Sequence, residues 1–504
     1  MHGSAIAPWR PRVGPRVVLC VLLLSCALSG PSAFAQGKSL RELAESIYGK
    51  EMGRVRTWYV GRLKDLEGKA AEAGAADLAK GLRAKLAEAD PQAPTAPAPA
   101  TAVNEPRVKA LTTEWAAVEK DYSNRVIKVA ETCFRNGLIG RAYDLMFDIL
   151  RHNPDHPSAR ANLGQEKARV ERDDVWLTHW EARLVKKGLA DHPRFGWVPK
   201  KDFGQYDQGL FPADGRWIPV AEADAAHAPW PAAWKMETDH YQIVSNLGYR
   251  EATAITRAAE RLYRVFFRIF IGYFEQKQQA GVLFKYEEKP LDKKYRVFFF
   301  KDQKDYAAEY NAAHGRDPKG GADPRERPGF YTTADRTAHF WAGDRGVDYR
   351  TFYHEATHQL FYESRAGLGS SNGPGCWVVE GTACYMETVH EGAGGEPMAG
   401  DAKDGRNRQA LRDLQAGKSE PVAKLLQMDD KAFQAGDASG HYAQAASFVW
   451  FLMDAEGGKY REDFVRYMTS IYLGKPVSLP AQLGMKVEEI EKAWKEFMLA
   501  TAGK

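Results

Sequence analysis

The spacing of apolar residues predicts helices over the first part of the chain. From residue 39 to residue 89, apolar positions recur every three or four residues, which is the period of one helix face. The positions that carry this pattern are Leu40, Leu43, Ile47, Val60, Leu63 and Leu66. Residues 90–102 then hold prolines among alanine and threonine, a composition typical of an extended linker. A second helical pattern runs from about residue 105 to residue 187.

This second helical region contains one possible repeat unit. Gly137, Ala142, Met146 and Pro154 fall where a tetratricopeptide (TPR) unit places its turn glycine, small residue, large apolar residue and final proline. The Leu-Gly pair at 163–164 would open a next unit. About three stacked repeats are usually needed for a stable array, so an ordinary helical hairpin explains the pattern equally well.

Between residues 192 and 234, tryptophans, prolines and turn residues replace the helical pattern. Trp197, Trp217 and the turn dipeptide Asp214-Gly215 indicate short strands joined by tight turns. We therefore expect a small β-rich module, whose aromatic side chains pack against one another.

The remainder of the chain, residues 236–504, mixes strands and helices. In order, the pattern predicts a strand at 240–245, a helix at 249–273, a strand at 295–300, a helix at 302–312, a hairpin at 328–342 and an uninterrupted helix at 349–366. From residue 376 onward the chain is expected to be mostly helical, with a less regular insert at 418–440. The fold class predicted is α+β.

The first 35 residues have the three parts of an export signal. Three arginines precede an apolar run at 17–28, and the A-x-A sequence at 33–35 predicts cleavage before Gln36. A run of about twelve residues is too short to span a bilayer. The alternative is a lipoprotein signal that ends at Cys26. The mature protein is thus expected outside the cytoplasm, either periplasmic or extracellular.

The expected organisation therefore has six parts. They are a signal peptide at 1–35, a helical segment at 36–89, a Pro/Ala-rich linker at 90–104, a helical TPR-like region at 105–191, a small β-rich module at 192–235 and a mixed domain at 236–504.

Net charge, hydropathy and cysteine content each argue against a class of protein or partner. The formal net charge is +4 and three positive charges lie in the signal, so the mature chain carries about +1 and favours neither nucleic acid nor an anionic membrane. No segment after the signal is long enough to be a membrane helix. The mature chain keeps Cys133, Cys376 and Cys384, and an odd number of cysteines argues against a disulfide framework.

The candidate chemistry lies at residues 354–358, which read His-Glu-Ala-Thr-His. On a helix, His354 and His358 lie one turn apart on the same face, and zinc suits neutral imidazole ligands. Glu380, on the next predicted helix, would supply a third ligand and leave one position open. Glu355 sits where a general base can take a proton from water. The alternative is a pair of structural histidines that are hydrogen-bonded in a core.

These two motifs together resemble those of the gluzincins. The His-Glu-x-x-His sequence is followed about twenty residues later by W-x-x-E-G-x-A-x-Y-x-E, which is similar to peptidase-MA-like domains and to the aminopeptidase N type. The matching positions are Trp377, Glu380, Gly381, Ala383, Tyr385 and Glu387. Residues 440–449 are similar to the tyrosine-containing helix that follows the zinc motifs in these families. The resemblance covers roughly residues 236–500, and secreted bacterial proteins carry such a domain after a helical N-terminal region.

The resemblance implies a thermolysin-like fold, with a mixed sheet, an active-site helix and a mostly helical C-terminal half. It implies a zinc metallopeptidase that holds one Zn²⁺ ion per chain through His354, His358 and Glu380, with Glu355 activating the attacking water. The expected substrate is a peptide or protein.

Two further roles follow from the same resemblance. Tyr442 is the expected second donor to the oxyanion of the reaction, and His441 is the alternative. The strand at 337–342 precedes the active-site helix, where gluzincins present an edge strand to which an extended peptide can pair.

Two other classes of function remain open from the sequence. One is a catalytically silent, exported binding or scaffold protein that keeps the fold and holds protein partners through its helical N-terminal region. The other is a protein in which zinc is purely structural. Glu355 argues against both, because a structural site requires no base beside its ligand. The chain has no segment like the G-A-M-E-N sequence that captures a substrate amine, so exopeptidase activity is not assigned.

Overall fold

A computed structural model describes residues 40–90, 105–170, 172–274, 294–314, 326–364, 375–392 and 397–501. The predicted signal peptide lies outside the described residues, as do positions 91–104 of the predicted linker and the glycine- and serine-rich segment 365–374. The described parts form a mixed α+β structure, with helices in the N-terminal and C-terminal regions, as predicted. Within them, no helix combines the length and the apolar character that crossing a membrane requires.

Five helices form the N-terminal region. They are α1 (Leu40–Glu72), α2 (Ala76–Ala89), α3 (Glu105–Arg135), α4 (Ile139–His152) and α5 (Pro157–Asn162). Their apolar faces share one core, in which Leu63, Val126 and Ile149 are fully buried. The turn between α3 and α4 needs Gly137, whose φ of +78° is a left-handed conformation that glycine adopts without strain.

The prediction of a helical, TPR-like region that extends to residue 191 is wrong beyond α5. Strands β1 (Gln165–Val170) and β2 (Asp173–Thr178) form an antiparallel hairpin where the next repeat unit was expected. Gly164 ends the helix because its φ is +71°. The β-branched and aromatic residues of this segment, such as Val175 and Trp176, suit a half-buried strand.

This hairpin is the first of three similar units, each of which consists of two short strands and a helix. They are β1, β2 and α6 (His179–Lys186); β3 (Leu189–His192), β4 (Gly196–Pro199) and α7 (Phe203–Asp207); and β5 (Leu210–Ala213), β6 (Arg216–Pro219) and α8 (Val220–His227). Trp197 of the second unit packs on Trp180 of α6, and Trp217 of the third packs on Tyr206 of α7. Each tryptophan thus contacts the helix of the preceding unit. The short strands predicted for 192–235 are present, but the series begins near residue 165.

A five-stranded mixed sheet follows, in the order β10–β11–β9–β8–β7. Its strands are β7 (Trp234–Glu237), β8 (Tyr241–Ser245), β9 (Tyr295–Phe300), β10 (Gly329–Thr332) and β11 (Thr337–Trp341). The three central strands are parallel, and the two outer strands are antiparallel to their neighbours. Helix α9 (Tyr249–Ile269) contributes Ile255 and Phe266 to the core that also buries Ile243 and Val297 of the sheet. Helix α10 (Gln303–His314) begins at Asp302, whose carboxylate accepts a hydrogen bond from the N–H of Asp305 at 2.8 Å.

The expectation of an edge strand at 337–342 is wrong. Strand β11 lies inside the sheet, because it pairs with β9 on one side and with β10 on the other. The parallel pairing of β9 and β11 requires a crossover, which α10 provides, and the hairpin then folds outward. Among the described strands, β10 is therefore the edge on this side of the sheet, as β7 is on the other.

The C-terminal region is mostly helical, as predicted. Its helices are α11 (Tyr349–Glu363), α12 (Cys376–Met386), α13 (Gly405–Gln415), α14 (Val422–Leu425), α15 (Asp430–Gln434), α16 (Ala438–Gly458), α17 (Arg461–Tyr472), α18 (Leu479–Leu483) and α19 (Val487–Ala500), and a short hairpin joins β12 (His390–Glu391) to β13 (Pro397–Met398). Helix α16 is central, since Phe448 lies between the fully buried Trp377 of α12 and Trp494 of α19. The predicted irregular insert at 418–440 contains only the short helices α14 and α15 before α16 begins.

The N-terminal helices are docked against the C-terminal region through buried polar contacts. Glu462 of α17 is buried, and its carboxylate accepts a hydrogen bond of 2.8 Å from the main-chain N–H of Gly140 in α4. A Cβ atom at Gly140 would lie 2.6 Å from that carboxylate, so any larger residue would require the side chain of Glu462 to shift. Asp144 accepts hydrogen bonds from Arg461 of α17 and, at 3.1 Å, from Arg268 of α9. The N-terminal helices are therefore an integral part of the fold.

We expect Glu462→Ala to weaken this docking. The variant would leave the N–H of Gly140 buried without that acceptor, which costs about 1–3 kcal/mol. Thermal unfolding and limited proteolysis of the full chain should show a lower midpoint and faster cleavage. Glu462→Gln keeps an acceptor oxygen and is the matched control. Equal stability of the alanine variant and the wild type would show that this contact contributes nothing.

Candidate metal centre

Helix α11 presents two histidines on one face. Asp348 caps the helix by accepting hydrogen bonds from two main-chain N–H groups of its first turn. Ala356 and Leu360 are fully buried on the opposite side and hold the helix to the core. His354 and His358 lie one turn apart, with ring centroids separated by 5.0 Å. The helix predicted from the motif is thus formed, and its two histidines are brought together.

Helix α12 brings Glu380 to the same two imidazoles. Its Oε2 lies 3.2 Å from Nε2 of His354, and its Oε1 lies 3.9 Å from Nε2 of His358. Tetrahedral zinc with bonds of about 2.0–2.1 Å separates neighbouring ligand atoms by about 3.3 Å, so this donor set fits the ion. The position of α12 depends on Gly381, where a Cβ atom would lie 2.8 Å from the carbonyl oxygen of Ala445 in α16.

Two of these three side chains are in the protonation state that binding a cation requires, and the third, His354, is not. Burial lowers the pKa of His358 to about 4, which keeps its imidazole neutral. Burial opposes ionisation of Glu380, but its hydrogen bond with His354 and the nearby histidine charge lower its pKa to about 2. For His354, hydrogen bonds to neighbouring side chains outweigh burial and raise its pKa well above the usual value. A metal ion must therefore displace a proton from His354 when it binds.

Glu355 also lies at this cluster. Burial raises the pKa of its carboxyl to about 7, a shift that the charge of His354 opposes and that of Glu380 reinforces. The main-chain N–H of Tyr331, on edge strand β10, donates a hydrogen bond to the same carboxyl, and Arg327 lies close enough to act on it electrostatically. The side chain of Glu355 therefore extends from α11 toward the edge of the sheet.

The two candidates for the oxyanion donor are placed differently. Tyr442 lies close enough to Glu380 to help lower the pKa of that carboxyl, and its hydroxyl accepts a hydrogen bond of 2.9 Å from Gln434. His441 is buried, and its Nδ1 lies 2.8 Å from the carbonyl oxygen of Phe433. Of the two, Tyr442 is the residue that contacts the cluster.

A further carboxylate, whose role the sequence did not predict, lies behind His354. An oxygen of Glu387 lies 2.9 Å from Nδ1 of His354, and the carboxylate accepts hydrogen bonds from Arg350 at 2.6 Å and from Arg406 at 2.9 Å. Burial opposes the charge, but the hydrogen bonds from His354 and Arg406 lower the pKa of Glu387 to about 2. A carboxylate that holds Nδ1–H directs the Nε2 lone pair of the imidazole toward Glu380. The sequence offered one signal, because Glu387 follows Glu380 by two helical turns.

A second group of side chains could also surround a cation. Nδ1 of His354, Sγ of Cys384 and a carboxylate oxygen of Glu387 lie within 4.8 Å of one another. Burial raises the pKa of Cys384 to about 11, so its thiol is protonated at neutral pH. Glu387 is already paired with two guanidinium groups. The group formed by His354, His358 and Glu380 is therefore the better metal site.

Comparison with known families adds one result. Residues 348–478 match the family described as "Protein of unknown function (DUF1570)". The DUF1570 segment begins at the residue that caps α11 and extends through α17, so it contains the histidines, both glutamates of the cluster and Tyr442, but none of the five-stranded sheet. No curated protein matches the chain.

Proposed function

We propose that this protein is a zinc-dependent peptidase of the gluzincin type. The observation that carries the proposal is the position of Glu355, whose carboxyl lies beside a group of two imidazoles and one carboxylate that fits zinc. A base next to a three-ligand site is the arrangement of a hydrolytic centre and serves no purpose in a structural one. When bound, zinc would polarise a substrate carbonyl and lower the pKa of water toward neutrality.

Glu355 is the proposed general base. Its buried carboxyl has a pKa of about 7, raised by burial, and a base titrating near the working pH is well matched to proton transfer. We propose that Glu355 takes a proton from the attacking water and passes it to the departing amine. The main-chain N–H of Tyr331 and the charge of Arg327 hold the ionised form in place.

Tyr442 is the proposed second donor to the oxyanion. Its hydroxyl lies beside Glu380 and is oriented by Gln434. Burial raises the pKa of Tyr442, so the hydroxyl keeps its proton at neutral pH and can donate a hydrogen bond. A donor that faces developing negative charge contributes to the transition state more than to substrate binding.

We expect Tyr442→Phe to slow the chemical step without loss of metal. Removing one oxyanion donor typically lowers kcat by about 10²–10³, while zinc content and KM should change little. The control is Tyr460→Phe, since the hydroxyl of Tyr460 donates a hydrogen bond of 3.3 Å to Glu456 at the C-terminal end of α16, away from the cluster. Steady-state kinetics on one cleaved peptide give the kcat and KM of both variants. A wild-type kcat in Tyr442→Phe would show that the Tyr442 hydroxyl does not act as the oxyanion donor.

Edge strand β10 is the proposed site for an extended substrate. It is the outer strand of the sheet, and its partner β11 occupies its inner side. Tyr331 of β10 contacts Glu355 through its main chain, so a peptide paired with the free edge would run past the general base. Main-chain pairing of this kind gives affinity with little dependence on side-chain identity.

The proposal is tested by digestion of a broad peptide library with the zinc-loaded mature protein. We expect cleavage that a chelator abolishes and that added zinc restores. If the protein holds zinc and leaves the library intact, the alternative of a silent binding protein is favoured. Cleavage that persists in chelator without zinc would exclude a metallopeptidase.

A further inference from the structure

Arg406, at the start of α13, contacts two parts of the candidate centre at once. Its Nε and Nη2 lie 3.0–3.2 Å and 2.9 Å from the carboxylate oxygens of Glu387. Its guanidinium carbon also lies 5.5 Å from the centroid of the Tyr442 ring, over its face. Arg406 thus bridges the carboxylate behind His354 and the tyrosine beside Glu380.

The surroundings of Arg406 restrict its movement. Asp404 caps α13 by accepting the main-chain N–H of Arg406 at 2.8 Å, and its other oxygen pairs with Arg350 of α11. Arg350 reaches Glu387 as well, at 2.6 Å. The carboxylates of Asp404 and Glu387 are both 4% exposed, so the two guanidinium groups compensate buried negative charge.

The contacts made by Arg406 require the shape of its side chain. A guanidinium group is planar, so it can donate two N–H bonds to one carboxylate and lie over an aromatic ring at the same time. A lysine ammonium group is a point charge that can reach the carboxylate but cannot form both contacts in this geometry. The site therefore distinguishes arginine from lysine, although both carry the same charge.

We propose that Arg406 is a positioning residue that couples metal binding to the oxyanion donor. Through Glu387 it sets the orientation of His354, and through the ring of Tyr442 it sets the position of the hydroxyl beside Glu380. The inference rests on the proposed function, since it assumes that His354 and Glu380 ligate zinc. It adds a residue outside both sequence motifs to the machinery of that site.

Arg406→Lys is the variant that tests the coupling. We expect zinc affinity, measured by competition with a chromophoric chelator, to fall about 10-fold, at the lower end of the loss typical when a group supporting a metal ligand is changed. The absorption spectrum of the cobalt-substituted protein should change, because the orientation of one imidazole changes. The kcat of the variant at saturating zinc should fall while KM stays near the wild-type value. Arg412→Lys, on the exposed face of the same helix, is the matched control.

Glu387→Gln separates this role from a general effect on folding. It keeps the shape of the side chain but cannot hold the Nδ1 proton of His354 as a carboxylate does. We expect weaker zinc binding and an altered cobalt spectrum, with the Tyr442 ring still covered by Arg406. Circular dichroism of the zinc-free variants should match the wild type. If both variants fold and bind zinc and cobalt as the wild type does, the coupling is excluded while the proposed function stands. A wild type that binds no zinc overturns both.

Discussion

Replacing Glu355 by glutamine should abolish peptide cleavage while leaving the protein folded and zinc-loaded. Glutamine keeps the shape of the side chain but cannot accept a proton from water, and loss of a general base typically costs about 10²–10⁴ in rate. Stability should not fall. Burial raises the pKa of this carboxyl to about 7, so its charged form is unfavourable in the folded protein and an uncharged replacement removes that cost. Zinc analysis, thermal unfolding and kinetics on one cleaved peptide measure the three quantities.

Glu363→Gln is the matched control for that variant. Glu363 lies two turns further along α11, where its carboxylate pairs with Arg336 and accepts a hydrogen bond from Gln359. Its side chain is 6% exposed, so the two substitutions make the same change from glutamate to glutamine on one helix. Burial raises the pKa of Glu363 as well, so we expect Glu363→Gln to leave stability near the wild-type value and cleavage unchanged. Equal activity of Glu355→Gln and the wild type would reject the general base and favour a binding protein.

Replacing His358 by alanine should remove the metal from the purified protein. The variant leaves one imidazole and one carboxylate, and dialysis against a chelator should then reduce bound zinc from about one ion per chain to none. The control is His179→Ala, since His179 bonds to Glu166 in the first hairpin unit and lies outside the cluster. Elemental analysis after dialysis gives the stoichiometry. Full zinc retention in His358→Ala would show that the ion, if present, is held elsewhere.

The parts of the site that the sequence predicted correctly depend on local spacing. His354 and His358 share a face because helical geometry alone places i and i+4 together, and the apolar stripe of α11 identified the helix. The second motif located Glu380 on the next helix, although nothing in its spacing specified the distance to the imidazoles. That distance depends on Gly381, whose lack of a side chain lets α12 approach α16.

The parts that the sequence did not predict depend on contacts between distant segments. Arg406 lies 19 residues after Glu387 in a segment with no recognisable motif, so the role proposed for it depends on the packing of α13 against α16, which carries Tyr442. The prediction of β11 as an edge strand rested on the resemblance to gluzincins, and the sequence itself does not show on which side of a hairpin the sheet continues. Strands β1, β2 and β3 were not predicted because they are only four to six residues long and contain charged residues that also suit helices.

X-ray absorption at the zinc edge of the purified protein tests the central claim most directly. The account predicts one zinc ion per chain with nitrogen and oxygen ligands at about 2.0–2.2 Å and two imidazole contributions, as His354, His358, Glu380 and a solvent molecule would give. A sulfur ligand at about 2.3 Å would instead place the ion at Cys384 and Glu387. That result, or a protein that contains no zinc after reconstitution, would contradict the account.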